Sequence, residues 1–107
     1  MPKLPTKVRG KRRAYLLTFD RDDFIDYTEL HNNLVELPEV TTWWHYIKSS
    51  YILISSYSSS VVSKELMKLA PNKRFLLIEI NLNNKNGWLP LDAWTWLNNQ
   101  KDIINNQ

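Results

Sequence analysis

Thr41-Thr42-Trp43-Trp44-His45-Tyr46-Ile47-Lys48-Ser49-Ser50-Tyr51-Ile52-Leu53-Ile54-Ser55 is the stretch on which the fold turns. Residues 41–47 and 51–55 are β-branched and aromatic, the composition of a pleated, half-buried surface. The three residues between them are short enough for a hairpin, although they lack the Asn-Gly signature. Upstream, Tyr27, Leu30 and Leu34 recur at helical spacing. Asp26-Tyr27-Thr28-Glu29 has capping-box spacing, with Asp in place of Ser or Thr, and the helix it opens stops near Pro38. Downstream, Val62, Leu66 and Leu69 form one stripe with Lys64 and Lys68 on the other side, and Pro71-Asn72 ends that second helix. One step further out lie two more strands. Arg13 to Asp20 carries Tyr15, Leu17 and Phe19 on one face and Leu16, Thr18 and Asp20 on the other. Phe75 to Ile80 is mostly apolar, which predicts a central strand or one covered on both faces.

The order is therefore strand, helix, strand, strand, helix, strand. That is the ferredoxin-like α+β layout, βαββαβ, with four antiparallel strands and two helices on one face. The other face is left open, and an open face must be charged, covered or used. Gly87-Trp88-Leu89-Pro90-Leu91-Asp92-Ala93-Trp94-Thr95-Trp96-Leu97 follows the sixth element. Pro90 suits a helix start and Asp92 its first turn, so a short C-terminal helix is expected, folded back over the sheet or laid on a partner subunit. The Asn/Gln-rich residues 98–107 predict a frayed tail. The division is a basic flexible arm over 1–12, a domain over 13–97 and the tail.

All five tryptophans fall in two segments, as Trp43 and Trp44 and as Trp88, Trp94 and Trp96. Rings this large serve a core, an interface or a stacking surface. At 107 residues the chain is one domain. It has no cysteine, which excludes disulfides, zinc ribbons and thiol catalysis. No apolar run approaches the roughly 18 residues of a membrane span. A soluble cytoplasmic protein with no membrane partner is the expectation.

The formal charge of +3 hides an asymmetry. Lys3, Lys7, Arg9, Lys11, Arg12 and Arg13 precede the first acid, leaving eight basic residues against 11 acids, a net of −3, in the rest. Pro2, Pro5 and Gly10 make this leader a poor helix or strand. It reads as an arm for phosphates or another anionic surface, with Lys7, Lys11, Arg12 and Arg13 as the contacts, or as a solvated leader.

Asp20 ends the first strand, and Asp22, Asp23, Asp26 and Glu29 follow within ten residues. A carboxylate at a rigid strand end is a pre-set ligand for Mg²⁺ or Mn²⁺, which makes Asp20 the candidate catalytic and metal residue. The simpler reading is an acidic turn. His31 and His45 have no metal-ligand spacing, and a lone His beside Trp is more often packed than catalytic. With two glycines the chain holds no phosphate-cradling loop. The glycine-containing signature of RNA-recognition motifs is absent from Tyr51 to Ser55.

Tyr15-Leu16-Leu17-Thr18-Phe19-Asp20, Asp26-Tyr27, Trp43-Trp44-His45-Tyr46, Phe75-Leu76-Leu77-Ile78-Glu79, Gly87-Trp88-Leu89-Pro90 and Ala93-Trp94-Thr95-Trp96 together resemble a family of short bacterial and phage proteins labelled "SinR family". The likeness covers roughly residues 13–97. That family is similar in layout to the small ferredoxin-like subunit of the CRISPR adaptation complex and to the VapD ribonuclease toxins. The resemblance implies a homodimer that holds DNA or RNA, and in some members a metal-dependent nuclease whose strand-end Asp matches Asp20. Three functions are thus in play: nucleic-acid binding, a protein-interaction or inhibitor module anchored by tryptophan, and a Mg²⁺- or Mn²⁺-dependent nuclease.

Overall fold

The computed structural model describes residues 10–22 and 24–107. Its elements are β1 (Arg13–Phe19), α1 (Thr28–Val35), β2 (Thr42–Ile47), β3 (Ser50–Ser55), α2 (Ser59–Leu69), β4 (Phe75–Ile80) and α3 (Leu91–Asn105). The strands form one sheet in the order β2-β3-β1-β4. β1 runs antiparallel to both β3 and β4, and β2 runs antiparallel to β3. β1 and β2 therefore point the same way with β3 between them, and β3 and β4 point the same way with β1 between them. These are two interleaved βαβ units, the ferredoxin-like α+β arrangement that the alternation of strand and helix patterns predicts.

Each face of the sheet builds its own core. On one side Leu17, Tyr51 and Leu53 pack with Leu34 of α1 and Val62 and Leu66 of α2. On the other, Ala14, Trp44, Ile52 and Ile54 pack with Ala93 and Leu97 of α3. The third helix thus folds back over the face that the first two leave open. Burying a side chain such as Leu97 contributes about 1.5–3 kcal/mol. Trp96 is fixed there by an indole N–H donated to Thr42 Oγ1 at 3.3 Å.

Four readings of the sequence need correction. First, α3 does not stop at Leu97. It continues to Asn105 because Gln100 is buried, Ile104 packs on the α3-side core, and Asn105 Nδ2 donates to Asn83 Oδ1 at 2.7 Å. Residues 98–107 are not a frayed tail. The Gln107 side chain also clasps the backbone of Arg12, accepting from its N–H and donating to its C=O, both at 2.7 Å.

Second, β4 is an edge strand. Its odd-numbered apolar residues Phe75 and Leu77 face the α1/α2 core, but Leu76 and Ile78 are 56% and 48% exposed because α3 does not reach them. Third, β2 is irregular. Trp44 pairs with Ile52 but Ile47 pairs with Ser50, so two residues of β2 oppose Tyr51. Such a bulge resets the alternation. Tyr46 lies against Trp44 on the α3 side, and Ile47 shares Ser50's face rather than that of Trp43 and His45. Fourth, Asp26 neither caps α1 nor completes a capping box: the N-cap residue is Tyr27, which makes no side-chain cap bond, and Asp26 closes the turn before it. Its Oδ1 accepts from the Thr28 N–H at 2.9 Å and the Thr28 hydroxyl at 2.7 Å.

Among the described residues no helix is long and apolar enough to cross a membrane.

Candidate functional site

Asp20 is exposed at the end of β1. Its backbone N–H donates to the Arg74 carbonyl at 3.2 Å, and its Oδ2 accepts from Arg74 Nε at 2.8 Å. Asp22 turns its carboxylate to the Phe24 N–H, and Asp26 spends its own on Thr28. Those two bonds from Thr28 hold the Asp26 carboxyl below the ordinary carboxylate range. No group of three or more His, Cys, Asp or Glu that could hold a metal ion occurs among the described residues. Asp23 lies outside them.

Of the basic arm, Lys7 lies outside the described residues. Lys11 is exposed, Arg12 precedes β1 and Arg13 opens it. Arg12 Nη1 donates to Gln100 Oε1 at 3.3 Å, which ties this segment to α3. Arg12, Arg13 and Lys101 of α3 line a cleft of about 430 Å³ together with Asn81, Asn83 and Asn105. Glu79 is its one carboxylate. Gly10 approaches so closely to the chain beyond β3 that a Cβ there would sit 2.6 Å from the Ser56 carbonyl oxygen. A glycine is needed for the arm to pass.

The tryptophans divide. Trp44 is buried, and Trp94 and Trp96 are half-buried on the α3-side core. Trp43 is partly exposed. Trp88 is 90% exposed, and Leu91 beside it on α3 is 81% exposed.

A second cleft, of about 300 Å³, opens between α1 and the β2–β3 hairpin, lined by Arg21, Asp26, Tyr27, His31, His45 and Tyr51. His31 stands one helical turn after Tyr27, and its Nδ1 is 2.6 Å from the Tyr51 hydroxyl. His45 lies flat on the Tyr51 ring, centroids 3.9 Å apart and planes 8° from parallel. The two imidazoles are 5.7 Å apart, and Trp43 meets His31 edge-on at 4.9 Å. Burial, reinforced by His45, lowers the proton affinity of His31. Burial pushes the Tyr51 hydroxyl up, partly offset by Arg21. Arg21 places its guanidinium 4.4 Å above the Tyr27 ring and donates to the Lys48 carbonyl at 3.2 Å. The Tyr27 hydroxyl accepts from the Asp22 N–H at 2.8 Å and from Lys73 Nζ at 2.9 Å, and its proton is held less tightly than usual for that reason, the Asp22 bond first.

Sequence spacing did not mark this cluster, since 14 positions separate the two histidines. The signal was there in two halves. His31 falls on the stripe of Tyr27 and Leu34, and His45 alternates with Trp43 onto the same side of the hairpin. Only the βαβ crossover brings the two together.

No protein-family model, curated protein or solved structure matches this chain.

Proposed function

We propose that this is a small nucleic-acid-binding protein that works as a homodimer. The observation that carries the reading is the cleft of Arg12, Arg13 and Lys101, edged by the amides of Asn81, Asn83 and Asn105, at the root of the basic arm. Lys and Arg side chains neutralise backbone phosphates, and Asn side chains hydrogen-bond base edges. Lys11, Arg12 and Arg13 extend the same positive surface, with Lys7 further along the arm. The second copy is supported by β4, an edge strand with Leu76 and Ile78 open to solvent, a surface that pairs with another strand unless it is blocked. Two copies double the phosphate footprint.

The test is a binding isotherm for single-stranded RNA, single-stranded DNA and duplex DNA across salt concentrations. The variant Lys11→Ala/Arg13→Ala/Lys101→Ala leaves the Arg12 bonds intact. Each phosphate contact adds about 0.7 to the log–log salt slope on a single strand, so the variant should flatten it by roughly 2. An unchanged slope with unchanged affinity would overturn the reading.

Trp88 favours a second reading. Trp88 and Leu91 stand almost free of the fold. Exposed Trp beside an aliphatic residue is the composition of a protein-interface anchor. Trp88→Ala should leave nucleic-acid binding intact and abolish capture of a protein partner.

A further inference from the structure

We infer that the cleft between α1 and the β2–β3 hairpin is an acid–base site that cleaves RNA by attack of the 2′-hydroxyl on its neighbouring phosphate, with His45 and His31 exchanging the protons. The inference rests on the nucleic-acid reading and names the substrate class. It starts from the hydrogen bonds. His45 Nε2 lies 3.0 Å from the Lys48 carbonyl. A carbonyl only accepts, so Nε2 carries a proton and Nδ1 is the nitrogen left to exchange one. His45 is thereby oriented and held flat against Tyr51, as an acid–base group must be held. His31 is anchored through Nδ1 to the Tyr51 hydroxyl, which leaves Nε2 as the nitrogen able to take up a proton. Tyr51 is the positioning residue of both rings.

The two imidazoles are 5.7 Å apart in one cleft, and burial, reinforced by His45, favours the neutral form of His31. A neutral imidazole facing a second imidazole is the arrangement an acid–base pair needs. The groups facing them are Arg21 from the β1–α1 loop, Asp26 and Tyr27 at the start of α1, and Tyr51 from β3. Lys73 reaches the cleft's edge through Tyr27. Asp26 Oδ1 is committed to Thr28, and among the described residues no carboxylate hydrogen-bonds to either histidine. Arg21 is the cation lining the cleft, and its guanidinium is the group that a phosphate there would meet. Trp43, partly exposed beside His31, offers an aromatic face to a base.

In the step itself, neutral His31 takes the 2′-hydroxyl proton on Nε2. The 2′ oxygen forms a bond to phosphorus, and the bond from phosphorus to the 5′ oxygen breaks. His45, carrying the proton, delivers it from Nδ1 to that leaving oxygen. The products are a 2′,3′-cyclic phosphate and a 5′-hydroxyl, and the pair still holds one proton, now on His31. Arg21 offsets the extra negative charge on the five-coordinate phosphorus. DNA lacks the nucleophile and is not cut.

The experiment incubates the full chain with a labelled single-stranded RNA of mixed sequence in excess chelator, from pH 4.5 to 8, beside His31→Gln, His45→Gln and the DNA of the same sequence. Products are read by mass, and binding of each protein by gel shift. The expected result is a cyclic-phosphate end, a bell-shaped pH profile, and a loss of about 10²-fold or more in each variant with binding within twofold. RNA that is bound but stays intact overturns the cleavage site and leaves the binding reading standing. RNA that is not bound overturns both. Cutting of DNA, or cutting by either variant at the parent rate, overturns the assignment. Circular dichroism of each variant guards against misfolding, and an unfolded Gln variant is replaced by His→Asn at the same position.

Discussion

Tyr57, in the turn between β3 and α2, is held at both ends of its own backbone by buried side chains. Its N–H donates to Ser55 Oγ at 3.0 Å, and its carbonyl accepts from the Tyr15 hydroxyl at 2.7 Å. Tyr15 and Ser55 are both fully buried. Tyr15→Phe keeps the ring and strips the carbonyl of its donor. Removing one partner of a buried hydrogen bond costs about 1–3 kcal/mol, and this bond is only part-buried, so about 1–1.5 kcal/mol applies. At about 4–8 °C per kcal/mol for a domain near this size, melting should fall by about 5–10 °C. Ser55→Ala strands the N–H and should cost a similar amount. The two losses act on one residue, so the double variant should fall short of additivity by about 0.5 kcal/mol or more. Urea unfolding of all four proteins measures the cycle. Strict additivity, or a Tyr15→Phe midpoint equal to the parent's, would refute the idea that Tyr57 is a shared anchor for the entry to α2.

Two further outcomes follow from the same geometry. Burial and His45 hold His31 below its ordinary pKa of 6.5, so the unfolded chain takes up the proton first as pH falls. Stability should be full above about pH 6.5 and decline as pH drops from there through the folded value; urea midpoints at pH 7.5 and 5 should show it, and the slope should flatten in His31→Gln. Ile78→Asp puts a charge on the exposed face of β4 without touching either core. It should convert a dimer to a monomer by light scattering with little change in melting, and a parent that is already monomeric would remove β4 as the interface.

The alternation of strand and helix patterns around the central hairpin made the fold legible, because apolar period is set by the local geometry of each element. What it missed depended on contacts distant in sequence. Nothing local to Asn98–Gln107 shows that Ile104 will find the α3-side core or that Gln107 will reach Arg12. Phe75 to Ile80 looked doubly covered because period alone does not say how far α3 extends along the sheet. The bulge at His45 and Tyr46 is invisible to an alternation rule that assumes none. Asp20 stood out by its position, yet its partner Arg74 arrives from the start of a different strand. The histidine cleft was hidden for the same reason: each half reads as an ordinary packed face until the crossover joins them.

The clasp between Gln107 and Arg12 makes the chain nearly a closed loop. A side-chain amide that both donates to and accepts from one backbone residue imitates a rung of the neighbouring sheet, so α3 ends by stitching itself to the start of β1. A peptide linker from Gln107 to Met1 would complete the circle and keep the basic segment within it. The tight turn at Lys48-Ser49 is the natural place to reopen it, since every strand pairing except that one connection would survive the cut. A permuted chain beginning at Ser50 would carry its basic residues in mid-sequence, tethered at both ends, and would show whether they work as a free-ended arm or as a loop.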